Sequence, residues 1–292
     1  MPDYYQGAPL VINTSNVISG MQGVNYVPNV GTIAPDTDGR PVKCLVTEGT
    51  VAPALDIATL NVAQVLALLS ASPNHLPTLA LTDLKWFDRR QNAAAPGIAT
   101  GTVHEQGAFS SGVLFFTGLE GGANEPAVMS LMALGLSGNG DTHPAAFTQV
   151  AAPTDPLTIA ALVLDSVTID GTAVDEAISA SIRASVEVQT EFGLKPYPRF
   201  ARPRKVDWSL TVRHKNQSLQ RLKADKPATI ATTWKLLNTG GPTRGATTVS
   251  WSVTGLLHSA GSTRPGSGDS ETTHVVIGRH DGTNQPSTWS IA

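Results

Sequence analysis

The chain has 292 residues, of which 15% are charged and 41% hydrophobic, with a formal net charge of -3. A charged fraction well under the ~25% typical of soluble domains, joined to ample apolar content, excludes a disordered chain and a coiled coil. The near-neutral charge also gives no overall footprint of a nucleic-acid binder. The 27 glycines and 20 prolines suit a turn-rich β protein whose sparsely charged surface is covered in part by copies of itself.

Residues 1–53 are rich in Gly, Pro, Asn and Val and read as an N-terminal arm with loops, with one strand at Val42 to Thr47. A helix is predicted from Leu55 to Leu69, where Leu55, Ala58, Val62, Val65, Leu66 and Leu69 fall at helical spacing, Asp56 or Thr59 caps the start and Ser72-Pro73 stops it. Residues 78–87 and 108–119 read as strands. A shorter helix is expected from Asn124 to Gly135, with Pro126 in its first turn. Gly138 to Pro156 reads as a large loop and a subdomain seam.

The C-terminal half is more regular. From Ile178 onward, Ile178, Ala180, Ile182, Ala184, Val186, Val188 and Thr190 occupy one parity, and Ser179, Ser181, Arg183, Ser185, Glu187, Gln189 and Glu191 the other. This is a half-buried strand of unbroken period two, about 46 Å long at ~3.3 Å per residue. Its expected partner is Leu162 to Ile169, joined through Asp170-Gly171, a dipeptide suited to the φ > 0 turns of tight hairpins. Strands around Val206 to Val212, Ile230 to Leu237 and Val249 to Val253 follow, and Trp208, Trp234 and Trp251 lie on their apolar parity as expected core anchors. Residues 259–270 read as a flexible loop before a strand near Thr273 to Gly278. The domain reading is an arm over 1–53, a β domain over 54–258 and a loop with a terminal strand over 259–292.

Catalytic motifs are missing: the sequence carries no G-x-S-x-G, Walker loop, G-x-G-x-x-G after a strand or H-E-x-x-H. The expectation is a non-enzyme with no cofactor and no metal. The lone Cys44 reads as a small core residue, and Asp36-Thr37-Asp38-Gly39 as a turn rather than a calcium loop. The N-terminus lacks a signal peptide and no apolar run reaches 18 residues, so the chain is read as made in the cytoplasm. One charge feature stands out. Between Lys195 and Lys226 ten basic residues face two acidic ones, whereas residues 1–150 hold five basic and eleven acidic. The basic loop with Lys195, Arg199, Arg202, Arg204 and Lys205 is expected to contact an acidic patch on a neighbouring copy, and a nucleic-acid surface with Tyr197 and Phe200 interleaved is the other reading.

The run Val167-Thr168-Ile169-Asp170-Gly171, the strand Ile178 to Glu191 and Lys205-Val206-Asp207-Trp208-Ser209-Leu210-Thr211 together resemble the tail tube proteins of long-tailed bacteriophages, over about residues 160–258. The resemblance implies a mainly β fold, a β-sandwich with a long hairpin and one flanking α-helix, with loop insertions. It also implies a structural virion protein whose rings stack into the tail tube, the conduit for genome delivery. A tape measure protein, a tail terminator and double-stranded DNA passing non-specifically through the lumen are the implied partners. Ser179, Ser181, Arg183, Ser185, Glu187, Gln189 and Glu191 are then expected to face the lumen. A carbohydrate-binding or adhesin-like β-sandwich is the alternative, and a hydrolase whose Ser, His and Asp converge only in space stays open.

Overall fold

The computed structural model describes residues 5–7, 9–33, 47–71, 76–91, 98–154, 159–215, 227–237, 244–263, 271–280 and 285–292. The expected mainly β architecture holds, and every strand ladder is antiparallel. A fourteen-stranded sheet runs in the order Thr172–Ala173, Leu162–Ile169, Pro227–Leu237, Arg244–Thr263, Glu271–Gly278, Phe200–His214, Ala177–Glu191, Gly112–Gly122, Val128–Gly135, Ala54–Thr59 and Met21–Val27. Ser287–Ile291 joins Arg244–Thr263, and the small pair Ser70–Ala71 and Pro77–Leu81 joins Gly112–Gly122. A six-stranded sheet holds Ala145–Val150, His104–Phe109, Leu84–Arg90, Leu10–Ile12 and Asn16–Ile18 in that order, with Tyr5–Gly7 against Leu84–Arg90. Val30–Ile33 and Thr47–Val51 pair with each other. Both larger sheets feed one continuous apolar cluster that includes Leu10, Trp86, Phe116 and Trp208.

Trp208, Trp234 and Trp251 are buried as the alternation demands. Phe116 stacks on two of them, 5.9 Å from Trp208 and 4.5 Å from Trp251 by ring centroid, and the two indoles also meet each other at 5.9 Å. The Trp234 indole donates to Thr232 Oγ1 at 3.1 Å and the Trp251 indole to Ser287 Oγ at 2.8 Å, so these two large rings enter the core with their polar edges satisfied.

Several expected elements differ. The helix occupies only Val62–Leu68, and Ala54–Thr59 is a strand. Leu55, Ile57 and Thr59 are buried while Asp56 is exposed, so this stretch satisfies period two as well as helical spacing, and pairing on both sides with Val128–Gly135 and Met21–Val27 decides for the strand. Asn61, at the helix start, anchors it otherwise than by capping: its Nδ2 donates to Ser19 O at 2.8 Å and its Oδ1 accepts from Ala160 N at 2.7 Å. The second expected helix is the strand Val128–Gly135, in which Met129, Leu131 and Ala133 are buried at alternate positions. The expected strand over 108–119 is cut at Ser110-Ser111, so that His104–Phe109 belongs to the small sheet and Gly112–Gly122 to the large one. The supposed seam 138–156 contains Ala145–Val150, which pairs along its length with His104–Phe109.

Within 1–53, Leu10, Ile12 and Ile18 are buried and Met21–Val27 is an edge strand of the large sheet, so residues 10–27 of the expected arm pack in the body, whereas Val30–Ile33 and Thr47–Val51 form a strand pair outside both larger sheets. Val42 to Val46, Cys44, Asp36, Asp38, Ser72 and Pro73 lie outside the described residues, as do 264–270 of the presumed C-terminal loop. The preceding residues 259–263 continue the strand Arg244–Thr263.

Candidate interaction surface

The Asp170-Gly171 turn forms as expected, with φ of 48° and 76°, and Asp170 Oδ1 accepts from Thr229 N at 2.7 Å. Its second arm, however, is only Thr172–Ala173. Val174 is buried and its N–H bonds Val167 O, the last bond of this short arm, and a turn at Asp175-Glu176 then takes the chain away before Ala177. Leu162–Ile169 therefore pairs with Pro227–Leu237, and the expected hairpin between Leu162 to Ile169 and Ile178 to Glu191 is corrected. The long strand Ala177–Glu191 instead pairs over its whole length with Phe200–His214, across the proline-rich loop. The Asp-Gly signal located a real hairpin turn but not the long one.

This ribbon is fifteen residues long on each side. In its proximal half both outer edges are occupied: residues 179–183 pair with Gly112–Gly122, and residues 209–214 with Glu271–Gly278. Beyond Arg183 and before Ser209 neither edge has a ladder partner among the described residues. On the Ala177–Glu191 edge the cause lies in Gly112–Gly122, whose register shifts between Phe116 and Gly118 and whose residues 112–115 pair with Pro77–Leu81 instead, and on the other edge the ladder with Glu271–Gly278 ends at Ser209 opposite Ile277. The distal half is thus a two-stranded ribbon with open backbone donors and acceptors along both sides.

Its two faces differ. Ala180, Ile182 and Ala184 are buried and Val186, Val188 and Val206 half-buried against the core. Of the polar parity, Arg183, Ser185, Glu187, Gln189 and Glu191 are exposed, and Ser179 and Ser181 half-buried. The basic residues singled out in the sequence lie on this same ribbon and its loop. Arg204 Nη1 is 3.4 Å from Glu187 Oε1, Arg202 Nη2 is 3.8 Å from Glu191 Oε1, and Arg202 also donates to Gln189 Oε1 at 3.2 Å. Lys205 is 2.6 Å from Asp207, whose hydrogen bond and charge, together with the charge of Glu187, hold the lysine above its ordinary pKa. Arg183 reaches Glu120 at 3.7 Å. Arg202, Arg204 and Lys205 of the expected contact set therefore share one exposed, charge-paired face with Arg183, Ser185, Glu187, Gln189 and Glu191 of the expected lumen set, whereas Lys195 and Arg199 lie in the connecting loop. Exposed pairs of this kind are screened by water and add little stability, so the face is neutralised more than it is stabilised.

The loop between the two strands is held to the body. Lys195 Nζ bonds both oxygens of Asp141 at 2.8 Å, Val51 N donates to Pro196 O at 2.9 Å, Tyr197 N to Gly140 O at 3.2 Å and Ser137 N to Pro198 O at 2.8 Å. Tyr197 also meets the ring of His143 edge-on at 5.2 Å. Arg221, Lys223 and Lys226 lie outside the described residues.

Two clusters escaped the sequence reading. His214 and His274 are both buried, with His214 Nε2 2.8 Å from His274 Nδ1 and the rings nearly parallel. One nitrogen must donate and the other accept, so the bond needs at least one neutral ring, and burial pushes the His214 pKa down. The apolar parity of Trp208, Leu210 and Val212 runs on to His214, so its burial was legible, whereas a partner sixty residues away was not. The second cluster joins Tyr26, Trp86, Phe109 and Phe147. No spacing connects these four, because they come from four strands.

Among the described residues no helix is long and apolar enough to cross a membrane. No protein-family model matches the chain, and no curated protein is significantly similar to it.

Proposed function

We propose that this protein is a self-assembling structural component of a virion, the tail tube protein of a long-tailed bacteriophage. Its rings would stack into a conduit for DNA, alongside a tape measure protein and a tail terminator. The observation that carries the reading is the distal half of the ribbon, where two open strand edges flank a hydrated, charge-balanced face. Open edges of that length invite pairing with another chain, and repeated pairing around a ring removes them. The exposed parity is suited to a lumen because its cations Arg202 and Arg204 are already engaged by Glu191, Gln189 and Glu187. A wall that offers phosphates no unneutralised cations adds little salt-sensitive affinity for DNA in transit.

The test is negative-stain microscopy and sedimentation of the concentrated protein. Rings or hollow tubes are expected, and a stable 30.5 kDa monomer would overturn the reading. In an assembling system, lysine at Ser181, Ser185 and Glu187 should leave tubes intact and slow or stop DNA delivery. The carbohydrate-binding alternative draws on the exposed rings of Phe147 and Phe200 and requires a monomer that binds glycans.

A further inference from the structure

Two large apolar side chains stand out from the otherwise well-buried set. Leu194 is 104% exposed and Phe147 57%, the highest values among the described large hydrophobic residues. Scattered exposed hydrophobics are ordinary, so the setting of each decides whether it matters.

Leu194 is presented rigidly. It follows Gly193, whose φ is 64°, and precedes Lys195, fixed by both oxygens of Asp141. Gly140 makes this possible, since a Cβ there would come within 2.8 Å of the Lys195 stem. The supporting turn is itself clamped, Asn139 Oδ1 accepting from the backbone N–H groups of Asp141 and Thr142 and from Ser137 Oγ. The turn beneath it is thus ordered before any contact, and on burial only the rotamers of the leucine itself remain to be fixed. Arg199, exposed in the same loop, adds positive charge beside it.

Phe147 lies on an aromatic platform. Across the small sheet Trp86, Gly107 and Phe147 form one register row. The Trp86 indole lies over Gly107, where a Cβ would fall 2.1 Å from the ring, and Tyr26 stacks on the indole at 5.8 Å. Phe147 meets Tyr26 and Trp86 edge-on at 5.2 and 6.0 Å, which fixes it while leaving more than half of it in water. The next row is Asp88, Glu105 and Gln149, two acidic side chains directly opposite one another, with Gln149 donating to Glu105 at 3.0 Å. Like charges so placed repel, and a cation between them relieves the cost. Burial, and then the charge of Glu105, raise the Asp88 pKa.

We infer that the Leu194–Arg199 loop of one copy docks on the Phe147 platform of a second copy, leucine against the aromatic rings and arginine toward Asp88 and Glu105. This rests on the self-assembly reading and names the surfaces that would carry it. The occupant is a second copy because the chain segregates its charge, acidic residues toward the N-terminal half and basic ones in and after this loop, and because Leu194 touches nothing in its own subunit. Two unlike patches on one chain make a heterologous contact, the kind that propagates into rings or filaments.

The test uses two full-length variants, Phe147→Asp and Leu194→Asp, with Phe147→Leu and Leu194→Met as conservative controls. All four alter exposed side chains, and an unchanged β circular dichroism spectrum checks folding. Each aspartate variant alone should lose rings and tubes, while the controls keep them. Mixing the two aspartate variants should restore one contact per pair, the intact loop of one against the intact platform of the other, and yield dimers that grow no further. Rings from either aspartate variant alone, or a mixture that stays monomeric, would overturn the inference and leave the assembly reading standing. Monomeric unaltered protein at high concentration would overturn both.

Discussion

The two halves of the ribbon formed by Ala177–Glu191 and Phe200–His214 carry the same alternation but have different neighbours. In the proximal half each strand has a partner on both sides, and Trp208 at its boundary is buried against Phe116. In the distal half each strand has one partner, and its larger inward residues Val186, Val188 and Val206 are only half-buried, the small Ala184 and Ala201 alone being covered along with the boundary Trp208. Alternation thus encodes which face of a strand is dry, while the occupancy of its edges is decided by other segments.

Replacing Trp208 by alanine at the boundary should cause the largest change. Loss of a buried indole costs about 3–5 kcal/mol, read by chemical denaturation, whereas Val188→Ala in the distal half should cost well under half as much. Acid should divide the halves next. Burial depresses the His214 pKa, so this residue contributes stability that is present above the ordinary histidine value and lost as pH falls through the depressed one. Denaturation across that window should show the loss, and His214→Gln should flatten it. A smaller effect is expected from reversing Arg202, Arg204 and Lys205 to glutamate. Their pairs are exposed and screened by water, so monomer stability followed by chemical denaturation and circular dichroism should move far less than in the two preceding comparisons. The finest comparison is hydrogen exchange. Amides of residues 180–182 should be protected in the monomer, whereas those of 184–191 that point to the open edge should exchange quickly until the protein assembles.

What the sequence made legible follows from the same distinction. The dry parity of the long strand, the three core tryptophans and the Asp170-Gly171 turn are properties of adjacent residues, and they could be read directly. The pairing of Leu162–Ile169 with Pro227–Leu237 depends on segments more than sixty residues apart, and the nearby candidate at Ile178 to Glu191 looked equally suitable. Leu55 to Thr59 satisfied two periods at once, and only its neighbours on both sides settle which one applies. Among the candidate surfaces, the charges of the basic loop were visible but their partners were not, because Glu187 and Glu191 come into register only through a hairpin that local signals did not reveal. The platform under Phe147 needed Gly107 opposite Trp86, a juxtaposition created by the sheet.

The shift of register between Glu187 and Val188 has a consequence for how this ribbon tolerates changes in length. Lys205 faces Glu187 but Pro203 faces Val188, leaving Arg204 as an extra residue with no counterpart. Counting back from Trp208, the inward positions are Val206 and then Pro203 and Ala201, so the odd step at Arg204 resets the parity instead of inverting it. The bulge behaves as an insertion already absorbed: excising Arg204 would leave every other residue of the hairpin facing as it does now. Excising Ser209, in the flush and doubly paired half, would turn one flank of the ribbon inside out. The chain therefore has a place where its reading frame of inward and outward residues can be edited, and it lies in the half whose edges are open.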